Sequence, residues 1–264
     1  MDMFFAACEQ LRNPELTDKL FGIKSGTRLA TTNYNARKYG IRAGAPIFLA
    51  KEISKQVAGR EFLMLKSDRD FYQKKSAEVE EILKRFDSQV LWESPGLDEG
   101  VIDLTPYLNK KFGLQKWSDS QILQVVGKIR KEVFDKTGLT CSAGIGRNRL
   151  IAKLAADVNK PNGQYLIKQD EMLPLVRKMN VRKIPGIGPK LEFLLRESLE
   201  IITVQDLYEK RNLLSLVFQS QSQARLFASA MMASDRKIRP KPFVLESLIN
   251  LKEMLLGLGK KLRN

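Results

Sequence analysis

Residues 118–155, SDSQILQVVGKIRKEVFDKTGLTCSAGIGRNRLIAKLA, carry the pattern that decides the fold. Ser118, followed three residues later by Gln121, is typical of a capped helix start, and Gly138 is placed to end that helix. The small residues of Leu139–Ile145 predict a strand, and the apolar spacing after them predicts another helix. A helix, a strand and a second helix therefore follow one another within this stretch.

The same alternation begins upstream of this stretch and stops downstream of it. Apolar residues recur at helical spacing over 72–86, and the β-branched residues of 97–105 predict a short strand that Pro106 ends. This order of strands and helices is typical of α/β domains. From about Asp170 onward the pattern is helical, with residues 185–189 separating two helical stretches. We expect a mixed first part and a helical second part.

Composition narrows the available chemistry. The chain has 264 residues, enough for one or two domains, and no apolar run approaches the roughly 20 residues of a membrane span. It has no histidine, which excludes Ser-His-Asp and Cys-His triads and histidine metal ligands. Cys8 and Cys141 lie far apart, which excludes a disulfide scaffold and a cysteine zinc site. Catalysis is left with carboxylates, hydroxyls, Lys or Arg, or a hard cation such as Mg²⁺.

The net charge indicates the kind of partner. The chain carries 45 Lys and Arg residues against 30 Asp and Glu residues, a formal charge of +15. A charge of this size on a chain that can bury a core favours a polyanionic partner, with nucleic acid as the first candidate. A ribosome-associated or merely basic protein is the alternative that charge leaves open.

One acidic pair is a candidate metal site. Asp98 and Glu99 stand at an expected turn-to-strand junction, and adjacent carboxylates raise each other's pKa unless a cation lies between them. An exposed acidic turn is the common alternative. Two magnesium ions would need a third acid, for which Asp2 is the candidate, although an Asp at this position is ordinarily a solvated terminal residue.

Two basic segments are candidate phosphate sites. The segment 31–38 interleaves hydroxyls, an aromatic ring and cations, and if Tyr34 opens a helix then Arg37 shares its face. A phenol and a guanidinium on one face can bind a triphosphate, whereas the alternative is a solvated basic helix. Lys160, in the segment 160–163 that is expected to end a helix, either caps that helix or places an ammonium in an anion site.

Residues 184–190, IPGIGPK, form a more specific pattern. A glycine-bearing turn between two helices lets backbone N–H groups converge on one anion, which is how a helix-hairpin-helix binds duplex phosphates without reading sequence. A simple interhelical turn is the alternative. The residues of this pattern that are candidates for DNA binding are Pro185, Gly186, Ile187, Gly188 and Lys190.

Taken together, these segments resemble the Y-family translesion DNA polymerases, most closely their kappa branch. The resemblance runs from Met1 to Phe218, in the family's order and without large gaps. It rests on the segments Asp2–Glu9, Asn13–Leu16, Thr31–Gly44, Leu97–Glu99, Ser142–Ile145, Asn159–Tyr165, Ile184–Lys190 and Leu213–Phe218.

The resemblance implies a fold and a reaction. The fold would be α+β, a polymerase right hand with a mixed-sheet palm, small fingers and a helical thumb that carries the helix-hairpin-helix. Asp98 and Glu99 would be the catalytic carboxylates that hold two Mg²⁺ ions, and Thr31, Tyr34, Arg37 and Lys160 would contact the triphosphate. Phe5 would be the steric gate that excludes a ribose 2′-hydroxyl. A primer 3′-hydroxyl would attack the α-phosphate of a deoxynucleoside triphosphate and release pyrophosphate.

Three departures from the family pattern qualify this prediction. Asp2 aligns with the second Asp of the family's Asp-x-Asp motif, so the first Asp and the palm strand that carries it are absent. Gly96 and Gly100 flank the acidic pair where Ser and Ala are usual. The little-finger domain is expected near Arg239, but the remaining residues do not match its start. We therefore expect a truncated polymerase of weak activity, with a non-catalytic DNA-binding isoform or remnant as the alternative.

The resemblance also divides the chain and suggests its partners. Residues 3–66 would form the fingers, 1–2 with 67–166 the palm, 167–235 the thumb, and 236–264 a basic, amphipathic tail. The partners would be a DNA primer–template and a deoxynucleoside triphosphate, with a sliding clamp or a scaffold polymerase as further candidates and no membrane. We expect a monomer in the nucleus, in keeping with the basic run RKIRPK at 236–241.

Overall fold

The computed structural model describes residues 1–92, 96–114, 117–218 and 220–234. The chain divides into a first unit of residues 1–147 and 152–167, and a second unit of residues 148–151 and 168 onward. Every strand found among the described residues belongs to the first unit, and the second unit is helical. The basic run at 236–241 and the amphipathic tail lie outside the described residues.

The first part of the first unit is built around a small three-stranded sheet of order β2-β1-β3. The central strand pairs antiparallel with β2 and parallel with β3. Apolar side chains between this sheet and its helices form a buried core that includes Leu20, Ile41 and Phe62. The elements are α1 (Phe4–Arg12), a 3-10 helix (Pro14–Asp18), β1 (Leu20–Ser25), β2 (Arg28–Thr32), α2 (Tyr34–Lys38), α3 (Ile47–Gln56) and β3 (Phe62–Leu65).

The rest of the first unit combines helices with two short two-stranded sheets. In one sheet β4 and β5 are antiparallel, and in the other β6 and β7 are parallel. A buried cluster that includes Phe4, Tyr72 and Val133 joins three helices of this unit. The elements are α4 (Arg69–Leu83), β4 (Leu91–Trp92), β5 (Gly100–Val101), α5 (Thr105–Phe112), α6 (Asp119–Thr137), β6 (Ala143–Ile145), α7 (Arg149–Ala156) and β7 (Gln164–Leu166).

The predicted ends of helix α6 are confirmed. The Ser118 hydroxyl accepts a hydrogen bond from the Gln121 N–H, and the Gln121 side chain accepts one from the Ser118 N–H, which completes a capping box. Gly138 ends the helix in a left-handed conformation, with φ of +70°. Because these signals are local in sequence, the helix could be predicted to the residue.

The predicted strand at 97–105 is much shorter in the structure, at Gly100–Val101. The carbonyl of Leu97 accepts a hydrogen bond of 2.7 Å from the Ser76 hydroxyl of helix α4, so it is not available to a sheet. At the other end, Thr105 already belongs to helix α5.

The strand expected at Leu139–Ile145 is shortened in the same way, to Ala143–Ile145. The carbonyl of Thr140 accepts the N–H of Asp2 at 3.1 Å, and that of Cys141 accepts a guanidinium N–H from helix α6 at 2.9 Å. Tertiary hydrogen bonds therefore replace the first part of the predicted ladder.

The second unit confirms the helical pattern predicted from about residue 170. A cluster of buried apolar side chains, among them Val176, Leu195 and Leu207, lies inside it. Its elements are α8 (Gln169–Lys178), a 3-10 helix (Val181–Lys183), α9 (Pro189–Leu199), α10 (Val204–Glu209), α11 (Arg211–Val217) and α12 (Gln221–Met231). Within the described part of the chain, no helix has both the length and the apolarity needed to cross a bilayer.

Candidate active site

The acidic pair lies directly before strand β5, at the predicted turn-to-strand junction. Burial raises the pKa of the Asp98 carboxyl; the Met1 ammonium and Lys160 oppose this change, and the neighbouring Glu99 adds to it. Glu99 is exposed, and its Oε2 lies 2.8 Å from the Lys153 Nζ of helix α7. The Asp98 carboxylate is thus partly desolvated, and the nearby cations do not fully offset the loss of hydration.

The third predicted acid, Asp2, is 1 % exposed and is fully engaged with the protein. Its Oδ1 accepts the Ser142 hydroxyl at 2.7 Å, and its Oδ2 accepts the backbone N–H of Asn162 at 2.9 Å. Among the residues that the structure describes, no three acidic or sulfur-bearing side chains come together as a metal site. The metal role of Asp2 stays a prediction. In the structure, both of its carboxylate oxygens accept hydrogen bonds from the protein.

Helix α2 places the predicted phosphate contacts side by side. Tyr34 does open a helix, so the condition for a shared face is met, and the Arg37 guanidinium carbon lies 4.8 Å from the centre of the Tyr34 ring. Arg37 donates to the Thr32 carbonyl at 3.1 Å and to the Thr31 hydroxyl at 3.3 Å. Arg37 is therefore held in a defined orientation rather than extended into solvent, as a solvated basic helix would require.

The Tyr34 hydroxyl is buried and has no hydrogen-bond partner among the described residues. Burial raises the pKa of this hydroxyl, the Asp2 carboxylate adds to the rise, and Arg37 opposes it. An unsatisfied buried donor is unusual in folded proteins, and one beside a guanidinium indicates a place for an anionic acceptor.

Lys160 lies in the turn that follows helix α7, which ends at Ala156 and not at Lys160 as expected. Its Nζ is 3.7 Å from Asp157 Oδ1. Lys160 acts electrostatically on Asp98, and Asp157 acts on Tyr34, so this turn lies within electrostatic reach of both the acidic pair and the triphosphate candidates. The predicted acidic and basic groups all belong to the first unit, and their joining into one site stays a prediction.

Phe5 is half-buried and stacks on Tyr72, with ring centres 4.5 Å apart and planes 18° from parallel. The Tyr72 hydroxyl donates to Glu9 Oε1 at 2.7 Å in a buried environment. The sequence reasoning did not identify Tyr72 as a support for Phe5, because the two residues are distant in sequence. The helical pattern at 72–86 places Tyr72 on a helix but does not say which ring it meets.

The hairpin at 184–190 lies in the second unit between the 3-10 helix and α9. Ile184 and Ile187 are buried and anchor the turn, and Gly186 has φ of +101°. Gly188 is the N-cap residue of α9, and the cationic side chain of Lys190 is exposed in the first turn of that helix. The turn is therefore anchored by its buried isoleucines, its Ile187 N–H donates to the Ile184 carbonyl, and the cation of Lys190 is exposed.

Comparison with known proteins identifies the family of the chain. The model of the impB/mucB/samB family matches residues 1–157. The chain is 35% identical over 231 residues to a DNA polymerase kappa of Arabidopsis thaliana, covering 87% of the chain and 32% of that protein. It is 31% identical to the human DNA polymerase kappa, covering 84% and 33%, and 32% identical to a DNA polymerase IV of Francisella philomiragia, covering 91% and 65%.

Solved structures give the same answer for the fold. A ternary complex of Dbh superposes with a TM-score of 0.75 at 27% identity, over 90% of this chain and 67% of that one. A DinB structure from Sulfolobus solfataricus superposes with a TM-score of 0.73 at 27% identity, over 89% and 66%. The α+β polymerase fold is thereby confirmed. The chain spans about a third of the length of the kappa relatives that it matches. More than half of its own residues fit the family model, and the chain belongs to the impB/mucB/samB family of Y-family DNA polymerases.

Proposed function

We propose that this chain binds a DNA primer–template and a deoxynucleoside triphosphate and acts in template-directed, kappa-like translesion DNA synthesis. The observation that carries the proposal is the buried, unpartnered Tyr34 hydroxyl beside the oriented guanidinium of Arg37. Asp157, in the turn that carries Lys160, adds to the raised pKa of Tyr34, and Lys160 opposes the raised pKa of Asp98.

The triphosphate would be bound by three groups of different chemistry. Arg37 offers a planar fork suited to two phosphate oxygens, and Tyr34 offers a single directed donor. Lys160 offers a compact charge whose position depends on its turn. Together they would orient the α-phosphate toward a primer hydroxyl and stabilise the negative charge that develops on the departing pyrophosphate.

Phe5 would set the preference for deoxyribose. Its ring is held from behind by Tyr72, so it has little room to move away from a larger sugar. An aromatic ring fixed in this way excludes a 2′-hydroxyl by steric contact, which makes discrimination depend on the rigidity of the stack.

Polymerases of this family depend on divalent metal ions. The donor set at Asp98 and Glu99 fits one hard cation, because both groups offer carboxylate oxygens and Asp98 carries poorly compensated charge. Asp2 stays the candidate for a further ligand, because each of its oxygens accepts one protein hydrogen bond and keeps a lone pair. We therefore assign Mg²⁺ to Asp98 and Glu99, where it would supply positive charge to the phosphates, and keep Asp2 as the candidate third acid for a second ion.

The hairpin at 184–190 would hold the DNA backbone through exposed N–H groups and Lys190. Three expectations stay predictions: a sliding clamp or a scaffold polymerase as partner, the monomeric state, and the division into fingers, palm and thumb. We place the protein in the nucleus because its kappa relatives come from eukaryotes, and a fluorescent fusion confined to the cytoplasm would refute this placement.

Primer extension with Mg²⁺ tests the function directly. We expect extension on a lesion-containing template that is lost on chelation and in Asp98→Ala, and retained in the exposed control Asp70→Asn. A second candidate function, DNA binding without catalysis, is favoured by the engagement of both Asp2 oxygens. Salt-sensitive DNA binding with neither extension nor metal-dependent nucleotide binding would establish this second function and refute the first.

A further inference from the structure

Arg130 of helix α6 is a half-buried cation that the sequence pattern does not distinguish from its solvated neighbours. Its guanidinium donates to three acceptors on two separate segments. Nε donates to the Cys141 carbonyl at 2.9 Å, Nη1 to Gln164 Oε1 at 3.3 Å, and Nη2 to Asn162 Oδ1 at 2.7 Å. One side chain therefore joins the segment before β6 to the segment at the start of β7.

These contacts continue to the buried carboxylate of Asp2. Asn162, which accepts from Arg130 through its side chain, donates its backbone N–H to Asp2 Oδ2 at 2.9 Å. Ser142, next to the Cys141 that Arg130 also binds, donates to Asp2 Oδ1 at 2.7 Å. A buried carboxylate is tolerated only when it is hydrogen-bonded and its charge is compensated, and Arg130 is a cation connected to this network.

The turn that carries Lys160 is held by these contacts and by two further ones. Its far end is closed by the Asn159 side chain, which donates to the Gln164 carbonyl at 3.0 Å. A Cβ on Gly163 would lie 1.9 Å from the Asn159 carbonyl oxygen, so the turn is tightly closed. Asn162 lies two residues after Lys160, so its bond to Arg130 restrains the backbone on which the ammonium stands.

We propose that Arg130 is a positioning residue for the triphosphate: it does not contact the nucleotide, but it holds the turn 159–164 so that Lys160 faces the acidic pair. This inference rests on the proposed function and extends it to a residue of helix α6. Lys160 would bind phosphate through its charge, whereas the Arg130 guanidinium would only hold Lys160 in position.

The test is a double-mutant cycle on nucleotide affinity, with a fluorescent deoxynucleoside triphosphate and Mg²⁺ as the probe. We expect Arg130→Ala to weaken binding about tenfold, and to have less than about a twofold effect when Lys160→Ala is already present, because coupled residues are not additive. The nucleotide affinity of Arg130→Lys, which keeps the charge but loses the planar fork of donors, should lie between the affinities of the wild type and Arg130→Ala. The matched control is Lys131→Ala, on the same helix, whose side chain is 73 % exposed and pairs with Asp135.

Hydrogen exchange and thermal unfolding distinguish a positioning role of Arg130 from a general effect on stability. Faster exchange at residues 160–163 in Arg130→Lys, with an unchanged melting temperature, supports positioning. Unchanged exchange, or equal effects of Arg130→Ala with and without Lys160, would overturn the inference and leave nucleotide binding intact. Absence of nucleotide binding by the wild-type protein would refute the proposed function itself, and with it this extension.

Discussion

At the scale of single residues, the Tyr34 hydroxyl is the group whose unfavourable contribution to the free energy of folding is clearest. It is buried without a partner among the described residues, and such a group loses its hydration without compensation. The remainder of the ring is well placed, since Arg37 packs against its face. We therefore expect the hydroxyl to contribute to nucleotide binding rather than to folding.

Removal of that hydroxyl should separate stability from binding. In Tyr34→Phe we expect the free energy of unfolding to stay the same or rise by up to about 1 kcal/mol, because no hydrogen bond is lost. The affinity for a deoxynucleoside triphosphate should fall about tenfold, as for a lost bond to a charged group. Urea denaturation and nucleotide titration measure the two effects, with Tyr39→Phe as the control on the same segment. A clear loss of stability would mean that the hydroxyl has a partner in the folded protein.

At the scale of elements, the contact between strand β6 and helix α7 depends on the absence of one side chain. A Cβ on Gly144 would lie 1.8 Å from the carbonyl oxygen of Ala152, and backbone cannot move aside as a flexible side chain can. The parallel pair of β6 and β7 is thereby held directly against the helix.

Two glycine substitutions in the first unit should have opposite effects. Gly144→Ala should cost more than about 3 kcal/mol of unfolding free energy or prevent folding, because the strand and helix must separate. Gly127→Ala, inside helix α6, meets only the Gln164 side chain at 3.6 Å and should stabilise by about 0.5–1 kcal/mol. Chemical denaturation measures both, and a harmless Gly144→Ala would show that β6 and α7 are not in close contact.

Helix α10 begins with a capping box in which Asp206 accepts the N–H groups of Ile202 and Thr203 at 3.0 and 2.7 Å. Desolvation by itself raises the pKa of Asp206, but these hydrogen bonds outweigh it, so the pKa is lowered. A lowered carboxyl pKa contributes stability above the unfolded value of about 3.9, and this contribution disappears as pH falls through the folded value.

We therefore expect Asp206→Ala to destabilise the second unit by about 1 kcal/mol at pH 7, the usual cost of a lost cap. The difference from the wild type should shrink as pH falls below about 4, because the carboxyl of the unfolded chain is then protonated, and the contribution is lost once pH falls through the lower pKa of the folded protein. Urea denaturation at several pH values, followed by a probe in the second unit, measures this difference. A constant difference across that range would rule out the ionised cap.

The elements show which features sequence reasoning can reach. The capping box of Ser118 and Gln121 depends on residues within one turn and was predicted correctly, as was the end of that helix at Gly138. The lengths of β5 and β6 depend on hydrogen bonds between residues distant in sequence, that of Ser76 to Leu97 and that of Asp2 to Thr140, and could not be predicted. For the site, residue types at Asp98 and Arg37 indicated the chemistry, whereas the roles proposed for Tyr72 and Arg130 required the structure.

At the scale of the whole molecule, the charge of +15 predicts that the proposed binding to DNA depends strongly on salt concentration. We expect the logarithm of the DNA association constant to fall linearly with the logarithm of salt concentration. Lys190→Ala in the hairpin should reduce the slope by about one phosphate contact, whereas Lys131→Ala should leave it unchanged. Fluorescence anisotropy across a salt series measures the slopes, and equal slopes for the two variants would remove the hairpin from the DNA interface.

The central claim is that the acidic pair and the triphosphate candidates form one site. Titration of a deoxynucleoside triphosphate with and without Mg²⁺ tests it most directly, in the wild type, in Asp98→Asn and in the control Asp70→Asn. We predict that Mg²⁺ strengthens binding about tenfold or more in the wild type and in the control, and that Asp98→Asn loses this gain. Nucleotide binding that Mg²⁺ strengthens equally in Asp98→Asn would contradict the claim.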